Sequence, residues 1–219
     1  MDQFSAYHQF FSHVWILTKS YWKSEEKKSA YALLTGVILF TIAIVVMLVL
    51  LNQWNNTFYT ALQKYNTTVI FNELIHFSWL AALYIVFSVY SFYLQQVLGL
   101  RWRKWLTAQY LDRWLTRKTY YRLQMFGTET DNPDQRISED INLFVTKTIE
   151  FTIGLIKAIC VLTAFIIILY QISGALDFTF MGSVWHVPGY LVWIAILYAA
   201  AGTWLTHRVG HRLMKLNFI

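Results

Sequence analysis

The sequence is poor in charge, in cysteine and in nucleotide-binding motifs, and each shortage excludes a class of protein. Charged residues make up 14% of the chain and hydrophobic residues 57%, whereas soluble domains carry roughly 25% charged residues, so the composition is that of a membrane protein. Cys160 is the single cysteine, which excludes an internal disulfide and a site with several cysteine ligands. No phosphate-binding loop, H-E-x-x-H or G-x-S-x-G motif is present, so we expect no enzyme active site, cofactor or metal in this chain.

Four apolar stretches are long enough to cross a bilayer, which predicts an all-α membrane protein. The first has 22 residues and, at about 1.5 Å per residue in a helix, is roughly 33 Å long. The predicted spans cover residues 30–51, 74–98, 151–172 and 189–206.

Residues 1–29 form a separate amphipathic segment. Their aromatic residues recur at helical spacing, and a charged patch follows at 23–28. We interpret the segment as a helix on the membrane surface, with the remainder, 30–219, as the transmembrane domain. The alternative is a soluble helix that packs on another domain.

The distribution of lysine and arginine predicts the orientation of the spans. The amino-terminal segment carries four of them, the stretch from Arg101 to Lys147 nine and the carboxy-terminal tail three, whereas the two remaining predicted loops, 52–72 and 173–188, hold only Lys64. By the positive-inside rule both termini and the 101–147 stretch are cytoplasmic. This topology accounts for the net charge of +6, so a nucleic-acid partner is not expected.

The stretch 99–141 is the one long polar segment, and it predicts two helices joined by a turn in water. No glycine or proline separates the second span from 100–124, so a single helix should leave the membrane there. Gly127 then breaks it, and the next helix can begin at Pro133 after a cap at Asp131 or Asn132. We expect a partner to dock on this turn, on the residues Asp131, Asn132, Pro133, Asp134, Gln135 and Arg136. A plain helix start is the alternative.

Three ionisable residues, Glu73, Glu150 and Lys157, lie near or within spans and are candidates for a polar substrate path. Charges in hydrocarbon are costly and usually face a partner or a wet cavity. Glu150 and Lys157 are seven residues apart and share a helix face. Alternatively, Glu150 lies at headgroup depth and Lys157 extends to the interface. The pair His207 and His211 is interpreted as interfacial polar residues and not as metal ligands.

Five stretches taken together resemble a known family of membrane proteins. They are YWKSEEKKSAYALL (21–34), LNQWNNTFYTALQKYN (51–66), LRWRKWLTAQYLDRWLTRKTYYRLQ (100–124), TDNPDQRISEDI (130–141) and VPGYLVWIAILYAAAGTWLTHRVGHRLMKLNF (187–218). The combination is similar to the transmembrane half of the bacterial SbmA/BacA-type permeases with an attached ATPase, which are related to the peroxisomal fatty-acyl half-transporters of ABC subfamily D.

The resemblance implies a homodimer of half-transporters in the bacterial inner membrane, with six spans per subunit in an exporter-type (type 1) fold. It implies a nucleotide-binding domain that holds ATP and Mg²⁺ and on which a loop helix at 131–136 rests. Family members are linked to movement of peptides, peptide-like antibiotics and cobalamin-type molecules. Because only four spans are present, we expect a partial transmembrane domain, from a fragment or a truncated gene.

Two alternatives to an ATP-driven permease remain open at the level of the sequence. The first is part of a proton-driven SbmA-type peptide permease without an ATPase, in which Glu73 and Glu150 would carry protons. The second is a membrane scaffold that transports nothing and binds a cytosolic partner through its basic hairpin.

Overall fold

The computed structural model describes residues 12, 14–116, 133–180 and 183–216, and these form five helices and one β-hairpin. They fall into two compact units, Met1–Ala158 and Ile159–Ile219. In chain order the elements are α1 (helical residues 14–22), α2 (Lys27–Gln63), α3 (Thr67–Thr116), α4 (Pro133–Ser173), β1 (Ala175–Phe180), β2 (Ser183–Pro188) and α5 (Tyr190–Leu216).

Among the described residues four helices, α2 to α5, are long and apolar enough to cross a membrane. Each contains one of the four predicted spans, so the predicted all-α membrane architecture is confirmed. Helix α3 runs without a break for 50 residues, roughly 75 Å, through the second span and on to Thr116. The single long helix predicted there is therefore confirmed as far as Thr116.

Helix α2 is longer than its apolar span, and it ends in a tight turn. The sequence assigns 52–72 to a polar loop, but no glycine or proline interrupts it, and α2 continues to Gln63. At the turn the amide of Tyr65 bonds to the carbonyl of Leu62 and the amide of Asn66 to that of Ala61, both at 3.1 Å. This is a Schellman motif whose left-handed position is filled by Tyr65, with φ of 51°, instead of glycine.

Helices α2 and α3 pack antiparallel along most of the membrane-spanning length. At one end Trp54 Nε1 donates to the backbone carbonyl of Glu73 at 2.8 Å, and the Trp54 ring lies 4.6 Å from that of Phe77. In the middle Phe40 stacks on Tyr90, with the ring centroids 5.8 Å apart. Contacts at both levels fix the register of the two helices.

Helices α3 and α4 are also antiparallel where they pack, at the ends of the second and third spans. The Trp102 ring meets that of Phe144 at 6.0 Å, edge to face, and Arg103 Nη1 donates to Asn142 Oδ1 at 3.0 Å. The buried core of this unit lies here, where α1, α2, α3 and α4 converge.

The second unit contains a feature that the sequence interpretation missed. Residues 173–188 were predicted to be a loop, but 175–180 and 183–188 form the two strands of an antiparallel hairpin, in which Ala175 pairs with Pro188 and Phe180 with Ser183. The amide of Gly189 closes the base by bonding to the carbonyl of Gly174 at 3.1 Å, and both glycines have positive φ. A Cβ atom on Gly189 would lie 2.6 Å from the Tyr170 ring, so the site admits only glycine without displacement.

Candidate functional site

An aromatic cluster holds α1 against α3 and α4 at the ends of the spans. We define it as Tyr21, Trp22, Trp102, Trp105 and Phe144. Tyr21 is completely buried, and its ring is stacked on that of Trp102 with centroids 5.3 Å apart and planes 9° apart. Trp105 and Trp22 approach the Tyr21 ring at 5.6 and 5.7 Å. Stacked and edge-to-face rings at these distances attract beyond the area that they bury, so the cluster fixes the three helices relative to one another.

Polar groups at the edge of this cluster are only partly matched. The phenol oxygen of Tyr21, one carboxylate oxygen of Glu26 and the indole N–H of Trp102 are buried without a hydrogen-bond partner within the described part of the chain. Burial and the nearby Glu26 carboxylate together raise the pKa of Tyr21 to about 12, against an opposing effect of Arg101. The Arg101 guanidinium itself donates to the hydroxyl of Ser29, which ties α3 to the first turn of α2.

The predicted docking segment is described only in part. Asp131 and Asn132 lie outside the described residues, together with the rest of 117–132, and of Pro133, Asp134 and Arg136 only the helical backbone is described. The described part of α4 begins at Pro133. Gln135 is exposed, and its Nε2 donates to Glu139 Oε1 at 2.8 Å. The docking role of this segment stays a prediction.

The three predicted pathway residues do not converge on one site. The Glu73 carboxylate lies 3.3 Å from His76 Nδ1, near the end of α3 that follows the turn from α2. Glu150 lies on α4 beside the opposite end of the second span and is bonded to Lys147 Nζ at 2.9 Å. Glu73 precedes Gly99, the α3 neighbour of Ile149, by 26 residues of helix, so the two carboxylates are separated by about 39 Å along the axis of α3.

Glu150 and Lys157 share a helix but not a contact. Both side chains are exposed on α4, and Glu150 has Lys147 as its ionic partner. An exposed i,i+3 pair contributes only a few tenths of a kcal/mol, so folding does not require Glu150. In the described residues no group of three or more potential metal ligands lies together.

The residues that sequence reasoning overlooked are those of the aromatic cluster. The helical spacing of Tyr21 and its neighbours predicts an aromatic face, and Trp102 and Trp105 belong to a second such face on α3. The signal for each face was therefore present. The pairing of the two faces depends on tertiary structure, which periodicity does not encode.

Comparison with known proteins agrees with this architecture. Residues 17–219 match the family described as ABC transporter transmembrane region 2. The chain belongs to this family. It is 37% identical over 203 residues to the inner membrane ABC transporter ATP-binding protein YddA of Escherichia coli, a match that covers 92% of this chain and 36% of YddA.

Two further relatives extend the family to other organisms. The chain is 32% identical over 199 residues to ABC transporter D family member 2, chloroplastic, of Arabidopsis thaliana. This match covers 91% of this chain and 26% of that protein. It is 30% identical over 189 residues to an ABC transporter ATP-binding protein of Haemophilus influenzae, with coverages of 83% and 31%.

The family assignment confirms the coarser part of the sequence interpretation. The chain is a multi-pass membrane segment of the ABC transporter type, and its relatives include a member of the D subfamily. It spans about a third of the length of the curated relatives that it matches. The activity, substrates and partners of a whole transporter are therefore taken up as proposals.

Proposed function

We propose that this chain is the membrane part of an ATP-driven half-transporter of the SbmA/BacA-like group and that it works as a homodimer. A nucleotide-binding domain, in the same polypeptide or in trans, would hold ATP and Mg²⁺. Residues 131–136 would rest on that domain on the cytoplasmic side of the bacterial inner membrane. The names of the relatives, which are ATP-binding ABC transporters, support the energy source.

The observation that carries the proposal is the continuity of α3 and α4 beyond the predicted spans. From Leu98 to Thr116, α3 extends by 18 residues, and from Pro133 to Phe151, α4 covers the same number. Each extension is roughly 27 Å long in a helix. The two antiparallel helices are joined by the hydrogen bond between Arg103 and Asn142 and by the ring contact between Trp102 and Phe144, and we propose that they work together as a lever. The segment 117–132 joins the two helices, so a movement imposed there would pass to the spans.

The proposed cargo is an amphipathic compound of the peptide-like or cobalamin-like class. The family resemblance supports this choice, and so do aromatic side chains that are exposed on the spans, among them Trp79, Tyr90 and Tyr93 on α3. Aromatic rings offer large contact area with a polar tip, which suits mixed polar and apolar cargo. Uptake of labelled peptides and of labelled cobalamin into cells that carry the complete gene product distinguishes the two substrate classes.

The proposed coupling is tested with a triple variant of the complete gene product, Asp131→Ala, Asn132→Ala and Pro133→Ala. We expect transport-coupled ATP turnover to fall while the protein still inserts into the membrane, because the docking surface is altered and the spans are not. The double variant Asn55→Ala with Asn56→Ala, at the exposed turn end of α2, is the control and should behave as the wild type. Equal coupling in the triple variant and the control would contradict the proposal.

The proposed orientation is tested by labelling cysteines that are introduced after the single native cysteine has been replaced. In a Cys160→Ser background we introduce one cysteine at a time, at Gln135 or at Asn56, both of which are exposed. A membrane-impermeant thiol reagent should reach position 135 from the cytoplasmic side only and position 56 from the opposite side only.

Uptake that persists without ATP but disappears with an uncoupler would favour the proton-driven alternative.

A further inference from the structure

A pocket of about 270 Å³ lies under α1, where α1, α2, α3 and α4 meet. We name it the α1 pocket. Most of its wall is aromatic or aliphatic, and the hydroxyls of Thr148 and Thr152 already donate to backbone carbonyls of α4 at 2.7 and 2.8 Å. The wall therefore favours an apolar occupant. Its lining residues are Trp15, Thr18, Trp22, Leu34, Leu98, Trp102, Thr148, Ile149, Thr152 and Ile153.

The α1 pocket lies at the ends of three spans. Leu98 is the last residue of the predicted second span, Ile153 is two residues past the start of the third, and Leu34 is four residues into the first. Four residues of helix rise about 6 Å, so all three side chains lie within the outer layer of the hydrocarbon on the side that carries the basic residues. Lipid acyl chains are the apolar molecules available at this depth.

The polypeptide around the α1 pocket is strongly basic. The three stretches that supply most of its lining, 14–29, 98–105 and 144–153, contain eight lysine and arginine residues against three acidic ones, a net charge of +5. Lys23, Lys27 and Lys28 are exposed, and no ion pair is recorded for them among the residues that the structure describes. Lys23 directly follows the lining residue Trp22, and Lys27 and Lys28 precede the lining residue Leu34 by about two turns of α2, so their charges complement a molecule with a hydrocarbon tail and a negative head.

We propose that the α1 pocket holds an acyl chain of an anionic phospholipid of the cytoplasmic leaflet, with its phosphate among Lys23, Lys27 and Lys28. The inference rests on the orientation given under the proposed function and goes beyond it, since it assigns a lipid site to this chain. Ligand pockets of drug size have volumes of about 300–1,000 Å³, so this one has room for part of a tail and not for a whole lipid. A bound lipid would join α1 to the lever that α3 and α4 form.

Filling the pocket tests its role. Thr152→Phe places a ring in the α1 pocket, and Thr163→Phe places the same ring elsewhere on α4. Both threonines are exposed, and each donates its hydroxyl to the carbonyl four residues earlier at 2.8 Å, so the two substitutions are matched. The purified complete gene product is equilibrated with dioleoyl phosphatidylglycerol, washed in detergent and analysed by native mass spectrometry. The wild type and Thr163→Phe should retain the lipid, and Thr152→Phe should lose it.

Removing the charges tests the headgroup. Competition between dioleoyl phosphatidylglycerol and dioleoyl phosphatidylcholine in the same assay should favour the anionic lipid in the wild type. Replacing Lys23, Lys27 and Lys28 by glutamine should lower that preference by roughly fivefold for each lysine. Lys64→Gln, at the other end of α2, should leave it unchanged. Equal retention of the two lipids by the wild type, or full retention by Thr152→Phe, would overturn the proposal.

These outcomes do not depend on the proposed transport cycle. Lipid retention is measured without ATP, and Pro133, where the described part of α4 begins, lies 15 residues of helix before the pocket residue Thr148. Normal coupling in the 131–133 variant together with lipid retention would therefore contradict the proposed function and leave the lipid site standing. Altered accessibility of position 135, in contrast, would remove the orientation on which the choice of leaflet depends.

Discussion

Tyr21 offers the sharpest test of how this membrane domain is held together. Its ring is fully buried and touches three other aromatic rings, of Trp22, Trp102 and Trp105. Truncation of a buried aromatic side chain to alanine costs about 3–5 kcal/mol, because contacts are lost and a cavity remains. Tyr21→Ala should therefore lower the thermal stability of the complete gene product by several degrees or more.

The matched variant Tyr21→Phe separates the ring from its hydroxyl. The phenol oxygen has no hydrogen-bond partner among the described residues, so its removal relieves an unsatisfied buried polar group and does not break a bond. We expect Tyr21→Phe to be as stable as the wild type near neutral pH, or more stable by up to about 1 kcal/mol. Stability that falls as far as in Tyr21→Ala would refute this description of the cluster.

The pH dependence adds a second, independent measurement. The pKa of Tyr21 is raised from its ordinary value of 10 to about 12, mainly by burial. The folded protein thus holds the phenol proton more tightly than the unfolded chain does. The free energy of unfolding that results from this difference is fully present below pH 10 and is lost as the pH rises through 12. A shift of two pKa units corresponds to about 2.7 kcal/mol.

The assay is thermal unfolding in detergent, followed by size-exclusion chromatography at several pH values from 7.5 to 11.5. Other groups titrate in this range, but they are common to the wild type and Tyr21→Phe, so their effects cancel in the difference. The stability of Tyr21→Phe relative to the wild type should rise above pH 10. A difference that stays constant with pH would show that the phenol is not buried in the folded protein.

The remaining predictions concern two turns and one charge. Gly189→Ala should lower the free energy of unfolding by about 2 kcal/mol or more, because the added Cβ meets the Tyr170 ring at a residue with positive φ. The control Gly202→Ala has open space around the added Cβ and should not destabilise the protein in the same unfolding assay. Tyr65→Gly should stabilise by up to about 1 kcal/mol by relieving left-handed backbone, and a loss of stability would contradict the assignment of that turn. Glu150→Gln should impair substrate flux in an uptake assay with little change in stability, and wild-type flux would remove Glu150 from the candidate pathway.

The positions of the spans could be predicted from the sequence because hydrocarbon thickness sets their length and they contain a single charged residue, Lys157. The ends of the helices could not, because a helix leaving the membrane is no longer constrained by hydropathy. Residues 52–63 are polar and were assigned to a loop, yet they stay helical, since nothing in them breaks a helix. The terminating residue is Tyr65, which carries none of the glycine signal that normally marks a helix end.

The hairpin shows a different kind of error. In 175–180 the apolar residues Leu176, Phe178 and Phe180 alternate with Asp177 and Thr179, which is the period of a strand. The signal was therefore readable, but an uncharged segment between two spans was taken for a plain connection. The candidate pathway residues were grouped by chemical type, because Glu73 and Glu150 are both carboxylates near spans. Residue type does not encode distance, and the length of α3 holds the two far apart.

The aromatic cluster lies within the extensions of α3 and α4, next to the ends of the predicted spans, and this position has a mechanical consequence. A lever needs a point at which its arms are held, and the Trp102–Phe144 ring contact holds α3 to α4 there, while the Tyr21–Trp102 stack holds α1 against them. At the same level Arg103 donates a hydrogen bond to Asn142, which adds a second link between the two helices. Variants that loosen the cluster should then weaken the transmission of movement from 117–132 to the spans even when the docking residues are intact. A Tyr21→Ala protein that still folds at low temperature should for this reason retain basal ATP turnover and lose its stimulation by substrate.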